Sequence, residues 1–303
     1  MIGRISKGLG LGLLGLTASC QMVAREAEPI SQADCEAQPG FTFVLGGEFV
    51  SGSDRPERDY AYQISAEGYA DSPEEVAKAE AGYRAQGWFD REPERQTIDL
   101  PAFCLSKNLI TNEDYQAFVQ ASGHRAPGIS AADYQAQGFL VHDYREVVPY
   151  LWQDGQYPTD QGQYPVVLVS YEDALAYSEW RSQQDNIPYR LPSALEWEKA
   201  ARGTDGRYFP WGSEWQDDGT NWAKNGPVGT SAIATFPASR SPYGIEDMAG
   251  NVFEYTSTLT DDSEVILKGC GWDDYPGFCR AAYQHDRPID SRHILFGFRL
   301  AME

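Results

Sequence analysis

"YRLPSALEWEKAARGTDGRYFPWG", Tyr189 to Gly212, holds one short capped helix and the start of a long stretch without another. Ser193 sits where a helix N-cap is expected, and Glu196 three residues later completes a capping box. Gly203 ends the helix, because glycine closes a helix without steric penalty. Downstream, "DGRYFPWGSEW", "NWAKNGPVG" and "SRSPYGIEDMAGN" read as loops and short strands. Upstream, Thr111 opens "TNEDYQAFVQASG", with Tyr115, Phe118 and Val119 on one face and Gly123 as a stop. Ser170 opens "SYEDALAYSEWRSQQ", with Ala174, Tyr177 and Arg181 in step; both aromatic stripes read as core. Residues 54–98 are charge-rich and look like an insertion. Within it "DSPEEVAKAEAGYRAQG" is a helix with Ser72 as cap, Pro73 in the first turn and Glu75 closing a capping box. "FTFVLGGEFVSGSD" is strand-like, punctuated by Gly46 and Gly47, and "PVVLVS" suits one buried strand. Few helices and much irregular chain predict a single α+β domain.

The N-terminus has a different character. In "MIGRISKGLGLGLLGLTASCQ", Arg4 and Lys7 precede a short Leu/Gly run that is too short to span a bilayer, the pattern of a secretory signal. The ending at Cys20 resembles a bacterial lipobox, which would make Cys20 a lipidation site and residues 1–19 a signal peptide. A plain signal peptide cut near Ala24 is the alternative. Residues 20–40 are polar and read as a tether between lipid and domain. Gln21 after the cysteine matches sorting to an outer membrane, facing the periplasm. Without residues 1–19 the chain carries 22 Lys+Arg against 45 Asp+Glu, a net charge of −23. So acidic a surface repels phosphate backbones, and nucleic acid is not an expected partner.

The chain has five cysteines. Setting Cys20 apart leaves Cys35, Cys104, Cys270 and Cys279, an even number in an exported chain, which reads first as disulfides. We expect Cys35–Cys104 and Cys270–Cys279, each pair joining segments that should lie close. The second pair brackets "KGCGWDDYPGFC", which by itself could be a thiol site, a metal cradle or a clamp.

The phrases "FVLGGEFVSGSD", "FCLSKNLITNEDYQAFV", "YPVVLVSYEDALAYSEW", "YRLPSALEWEKAARGTDGRYFPWG", "SPYGIEDMAGNVFEY", "VILKGCGW" and "GFRLAME" follow one another along the chain. In this order they resemble the formylglycine-generating enzyme, or sulfatase-modifying factor, family, from about Phe41 to Glu303. The resemblance implies a single α+β domain over 41–303, related to the C-type lectin fold and with much irregular structure. Active members oxidise a sulfatase cysteine with oxygen and copper(I), held by two thiolates five residues apart; soft ligands suit that ion. Here the second thiolate position falls on Cys279, but the first falls on Asp274, and the family's serine before the Trp falls on Gly271. Formylglycine generation is therefore not expected, and the resemblance points to a Cys270–Cys279 disulfide closing the old copper site.

The resemblance also implies structural calcium. In "EDMAGNVFEY", Asp247 and Glu254 supply carboxylates and Gly250 and Val252 carbonyls, an all-oxygen set suited to Ca²⁺. Asn221 and Trp222 match the start of a second calcium site whose remaining acid is not evident. The tail "YQHDRPIDSRHILFGFRL" borders the family's substrate groove. One reading is a polar pocket of Asp274, Cys279, His285, Arg287, Arg292 and His293; the other is a charged surface loop. An iron site from His285, His293 and an acid is conceivable, though without a diagnostic spacing. Asp273 and Asp274, adjacent in an extended segment, should face opposite ways. Two functions stay open. One is an accessory envelope lipoprotein binding a peptide, glycan or partner protein; the other is a periplasmic oxidoreductase of the siderophore-maturation type.

Overall fold

The computed structural model describes residues 30–138 and 141–302. The signal segment, Cys20 and the first half of the tether lie outside the described residues. Among the described residues, helical structure is present before the expected boundary at residue 40. Helix α1 (Gln32–Ala37), capped by Ser31, buries Cys35, which is bonded to Cys104. That cystine fastens an otherwise polar segment to the domain.

Among the described residues, three sheets carry the rest. Strand β1 (Phe41–Val44) pairs antiparallel with β4 (Phe103–Ser106), β4 with β10 (Ala301–Met302), and β10 with β5 (Tyr189–Arg190), so both ends of the domain meet in one sheet. Strands β2 (Gly47–Ser51) and β3 (Gln96–Leu100) form a separate antiparallel pair. The third sheet has the order β8 (His285–Pro288), β7 (Glu264–Gly269), β6 (Phe253–Leu259), β9 (Phe296–Gly297), with β6 and β9 parallel. Helices α4 (Asn112–Ser122), α7 (Tyr171–Asp185) and α8 (Ala194–Arg202) start where expected. Each has both bonds of its capping box, from Thr111 and Asp114, Ser170 and Asp173, and Ser193 and Glu196. Short helices α5 (Ala131–Ala136) and α6 (Tyr144–Val147) lie between α4 and α7.

The run Val166–Val169 is buried but is not a strand. Leu168 has φ 60°, and the backbone bonds go to loops: the Val166 N–H donates to Ile110 O and the Leu168 N–H to His293 O. An apolar run specifies burial, and the left-handed residue rules out a regular ladder here.

The insertion between β2 and β3 is a helical hairpin, α2 (Arg55–Tyr69) and α3 (Pro73–Gln86), of which the sequence disclosed only the second helix. Asp54 caps α2 and accepts the Glu57 N–H at 3.0 Å. The hairpin packs on the turn Pro276–Cys279. There the Gly277 N–H donates to Ser65 Oγ (2.9 Å), and a side chain at Gly277 would collide with the Ala61 carbonyl. Beneath this joint lies a buried charge set. Arg280 holds Glu57 (3.1 Å) and Glu92, Arg202 holds Glu198 (2.9 Å) and Glu57 (3.3 Å), and Lys268 reaches Glu198 (3.5 Å).

Candidate functional site

The segment Gly271–Cys279 leaves β7 and runs under the helical hairpin, and it decides what the old thiol position has become. Cys279 is bonded to Cys270, and both are buried. Asp274 occupies the partner position. Its Oδ2 accepts the Gly271 N–H at 2.7 Å. Burial pushes the Asp274 carboxyl well above the usual carboxylate range. The neighbouring Asp273 adds to this, while the Gly271 N–H, His142 and Arg287 oppose it.

Residues 271–274 form a turn, so Asp273 and Asp274 both line one cavity of about 470 Å³ instead of facing apart. His285 and Arg287 from β8, and His293, line it too. The expected groove residues Arg292 and Cys279 do not. Arg292 turns away to an ion pair with Asp173 and a bond to Leu168 O (3.2 Å), beside a different cavity, and Cys279 lies sealed in its disulfide. Alternation along the backbone explains the separation of Arg292 from His293.

The walls form a belt of rings. Trp88 and Tyr83, from the insertion, stand edge-on to Phe278 at 5.7 and 6.1 Å. Phe278 meets Tyr283 (5.2 Å), and His285 stacks on Phe253 (5.2 Å). Phe296 meets His293 (5.2 Å), which lies near His142 (5.8 Å). Burial pushes both His285 and His293 down to about 3, with Arg287 adding to it in each case, so both are neutral imidazoles at pH 7. His293 Nδ1 accepts the Leu295 N–H (3.3 Å), which leaves Nε2 as its protonated nitrogen, facing Tyr134 Oη at 3.0 Å.

Sequence reasoning missed His142, as it missed the ring walls Tyr83 and Trp88. His142 Nε2 lies 2.8 Å from Asp273 Oδ2 and its Nδ1 2.6 Å from Glu146 Oε2. The i,i+4 spacing of His142 and Glu146 was a faint signal, but nothing local announced Asp273, 131 residues away. Burial works to lower the His142 pKa, and the bonds to Asp273 and Glu146 overcome it and raise the value. A raised histidine contributes stability that is fully present below its unfolded pKa of about 6.5 and is lost as pH rises through the folded value. His142→Gln should therefore cost on the order of 1.5 kcal/mol in urea unfolding at pH 6 and clearly less at pH 9. A deficit equal at both pH values would show that the His142 charge plays no part.

The metals implied by the resemblance fare differently. The copper set does not fit: one position is a carboxylate and the other sulfur is consumed in a disulfide. Among the described residues no group of three or more His, Cys, Asp or Glu side chains is arranged to hold a metal ion, so His285 and His293 lack a converging carboxylate for iron. For calcium, both Glu254 oxygens bind Arg299 (2.5 and 2.7 Å), and Asp247 Oδ2 accepts the Ala234 N–H (2.8 Å). The Asn221 position fits an oxygen-seeking cation better. Its Oδ1 is buried with no partner, and a Cβ on Gly226 would collide with it.

The mixed helix and strand architecture in a single domain is that of the formylglycine-generating-enzyme type. Residues 26–303 match the family described as sulfatase-modifying factor enzyme 1-like domain, and the chain belongs to this family. It is 30% identical over 215 residues to the formylglycine-generating enzyme of Mycobacterium tuberculosis, covering 56% of this chain and 68% of that one. It is 28% identical over 222 residues to inactive C-alpha-formylglycine-generating enzyme 2 of Bos taurus, covering 61% and 70%. The solved structure of PvdO from Pseudomonas aeruginosa shares the fold at a TM-score of 0.63 and 22% identity, covering 89% of this chain and 96% of that one.

Proposed function

We propose that this protein is an accessory, ligand-binding member of its family, exported and anchored to the envelope by a lipid on Cys20, and that it does not generate formylglycine. The observation that carries this reading is the Cys270–Cys279 disulfide with Asp274 at the partner position, which leaves no thiolate pair for copper. A similarity of comparable strength to an active and an inactive relative is compatible with loss of that chemistry. The anchoring rests on the lipobox-like "LTASC" and the polar segment after it, and an outer-membrane location on Gln21. The ring-lined cavity serves binding in this reading, for a small molecule or for a group presented by a peptide, a glycan or an envelope protein. Calcium, held through Asn221 and Trp222 or through Asp247, Gly250, Val252 and Glu254, would be structural.

A second reading, a periplasmic oxidoreductase, is favoured by the presence of two histidines and two acids, His285, His293, Asp273 and Asp274, in the lining of one cavity. Metal analysis and thiol titration in denaturant, on protein beginning at Gln21, separate the two. Calcium as the bound metal with no titratable thiol is the expected result. Stoichiometric copper or iron that is lost in Asp274→Ala or His285→Ala would sink the binding-only reading, and conversion of a Cys-x-Pro-x-Arg peptide to its aldehyde would restore the formylglycine one.

A further inference from the structure

We propose that a second cavity, of about 770 Å³ between helix α2 and the loop 214–225, is a docking site for a basic peptide segment, whose arginine side chains it receives against rings and carboxylates. It shares no lining residue with the cavity at 273–296, so the inference stands apart from the binding reading of that cavity. The volume falls within the usual range of ligand sites.

The apolar walls come from two pieces of chain. Helix α2 contributes Tyr60, and the loop contributes Trp215 and Trp222, whose rings stand edge to face at 5.3 Å. Trp222 is buried, whereas Tyr60 and Trp215 are half-buried and show part of their ring surface. The protein itself already uses the polar edges of all three. Trp222 Nε1 donates to Asp217 O (2.8 Å) and Trp215 Nε1 to Asp217 Oδ1 (2.9 Å). Tyr60 Oη accepts the Trp215 N–H (2.9 Å) and donates to Glu214 (3.5 Å). The amides are engaged in the same way: Gln63 donates to Glu67 Oε1 (2.9 Å) and Asn225 to Thr220 O (2.7 Å). Lys224, at the rim, is held by Asp71 at 3.1 Å.

What the cavity still offers is acceptors. Glu67, Glu214, Asp217 and Asp218 are exposed around it, and among the described residues none of the four enters an ion pair. A ligand that brings only donors and positive charge is complementary to that lining, and an anion is repelled. A neutral sugar asks its site for donors as well as acceptors, and the side-chain donors here are taken. Rings beside carboxylates favour a guanidinium over an ammonium, because the planar group stacks on an aromatic face while its edge donates to oxygens. Four carboxylates call for more than one cation. A peptide with two basic residues supplies that charge in one chain.

The test is isothermal titration calorimetry on the folded protein beginning at Gln21, at low and high salt. The ligands are an acetylated and amidated Gly-Arg-Gly-Arg-Gly peptide, its Lys and Glu counterparts, spermidine and chitotriose. The arginine peptide is expected to bind about threefold more tightly than the lysine peptide, and more weakly as salt rises. The glutamate peptide and chitotriose should not bind. Glu67→Gln with Asp218→Asn, changes at exposed side chains, should weaken the arginine peptide about fivefold. Asp261→Asn with Asp262→Asn removes the same charge from an exposed turn outside the lining and should leave the affinity unchanged. Trp215→Leu should erase the preference for arginine over lysine, with an unchanged circular dichroism spectrum. The proposal is overturned if spermidine or the lysine peptide matches the arginine peptide, or if the remote substitutions weaken binding as much as those at the cavity. It is overturned equally if chitotriose or the glutamate peptide binds best, or if no arm binds.

Discussion

Arg280→Ala is expected to destabilise the protein by about 3–5 kcal/mol, the usual consequence of removing one partner from a buried ion pair. In melting temperature this is a drop on the order of 10 °C. Arg280 is fully buried, and its guanidinium bridges Glu57 (3.1 Å) and Glu92, donates from Nε to Gly277 O (3.0 Å), and lies over the Phe89 ring at 5.1 Å. It therefore joins three pieces of chain: helix α2 through Glu57, the end of the insertion through Glu92 and the cystine turn through Gly277. Alanine would leave two carboxylates in a dry site. Burial already pushes the Glu57 carboxyl up, and Arg280 is the strongest of the charges that pull it back.

The sign with pH follows from that. An acid whose folded pKa is raised contributes stability below its unfolded value, about 4.3 for glutamate, and loses it as pH rises through the folded value. Losing Arg280 raises Glu57 further, so the deficit should be smaller at pH 5 than at pH 8. Arg280→Met combined with Glu92→Gln should recover part of the loss, because Glu92 is then uncharged and Glu57 keeps Arg202 and Arg95 as partners. Urea unfolding at the two pH values checks all three statements. A deficit under 1 kcal/mol, or one independent of pH, would mean that water reaches the joint and the charges are not truly buried.

This joint marks the limit of what the sequence can disclose. Helix starts were legible because capping is local: Thr111 with Asp114, Ser170 with Asp173 and Ser193 with Glu196 lie three residues apart and bond as their spacing implies. Both cystine pairings were legible from parity and from the segments they join. The failures share a cause. Glu57, Glu92, Arg202, Lys268 and Arg280 read as surface residues one at a time, and their burial is a property of the set. The charge-rich α2 was hidden for the same reason. At the cavity, Asp274 was found from the cystine segment and His285, Arg287 and His293 from the tail, whereas the hairpin's Tyr83 and Trp88, and His142 behind Asp273, come from distant chain. Pattern along the chain also misplaced Arg292, because neighbours in an irregular segment can serve two different cavities.

The two cystines should be worth unequal amounts, and the inequality separates their roles. Cys35 and Cys104 are 69 residues apart, Cys270 and Cys279 only 9. If cross-links act mainly on the unfolded chain, replacing the first pair by alanines should cost about 4 kcal/mol and the second about 2.5 kcal/mol. The first loss should also release α1, whose buried residue is Cys35 itself, so amide exchange across Gln32–Ala37 should become fast. The second should act on the cavity. Cys270 Sγ accepts the Gly250 N–H (3.1 Å), and Cys279 ends the turn on which the hairpin rests, so the clamp ties the Asp247–Glu254 loop to the aromatic belt. Cys270→Ala with Cys279→Ala should therefore loosen ligand binding more than its stability cost alone would suggest. If that variant keeps wild-type stability, the bridge holds nothing that packing does not already hold. An oxidised Cys279 would then be explained by loss of the copper thiol alone, and not by a new structural duty.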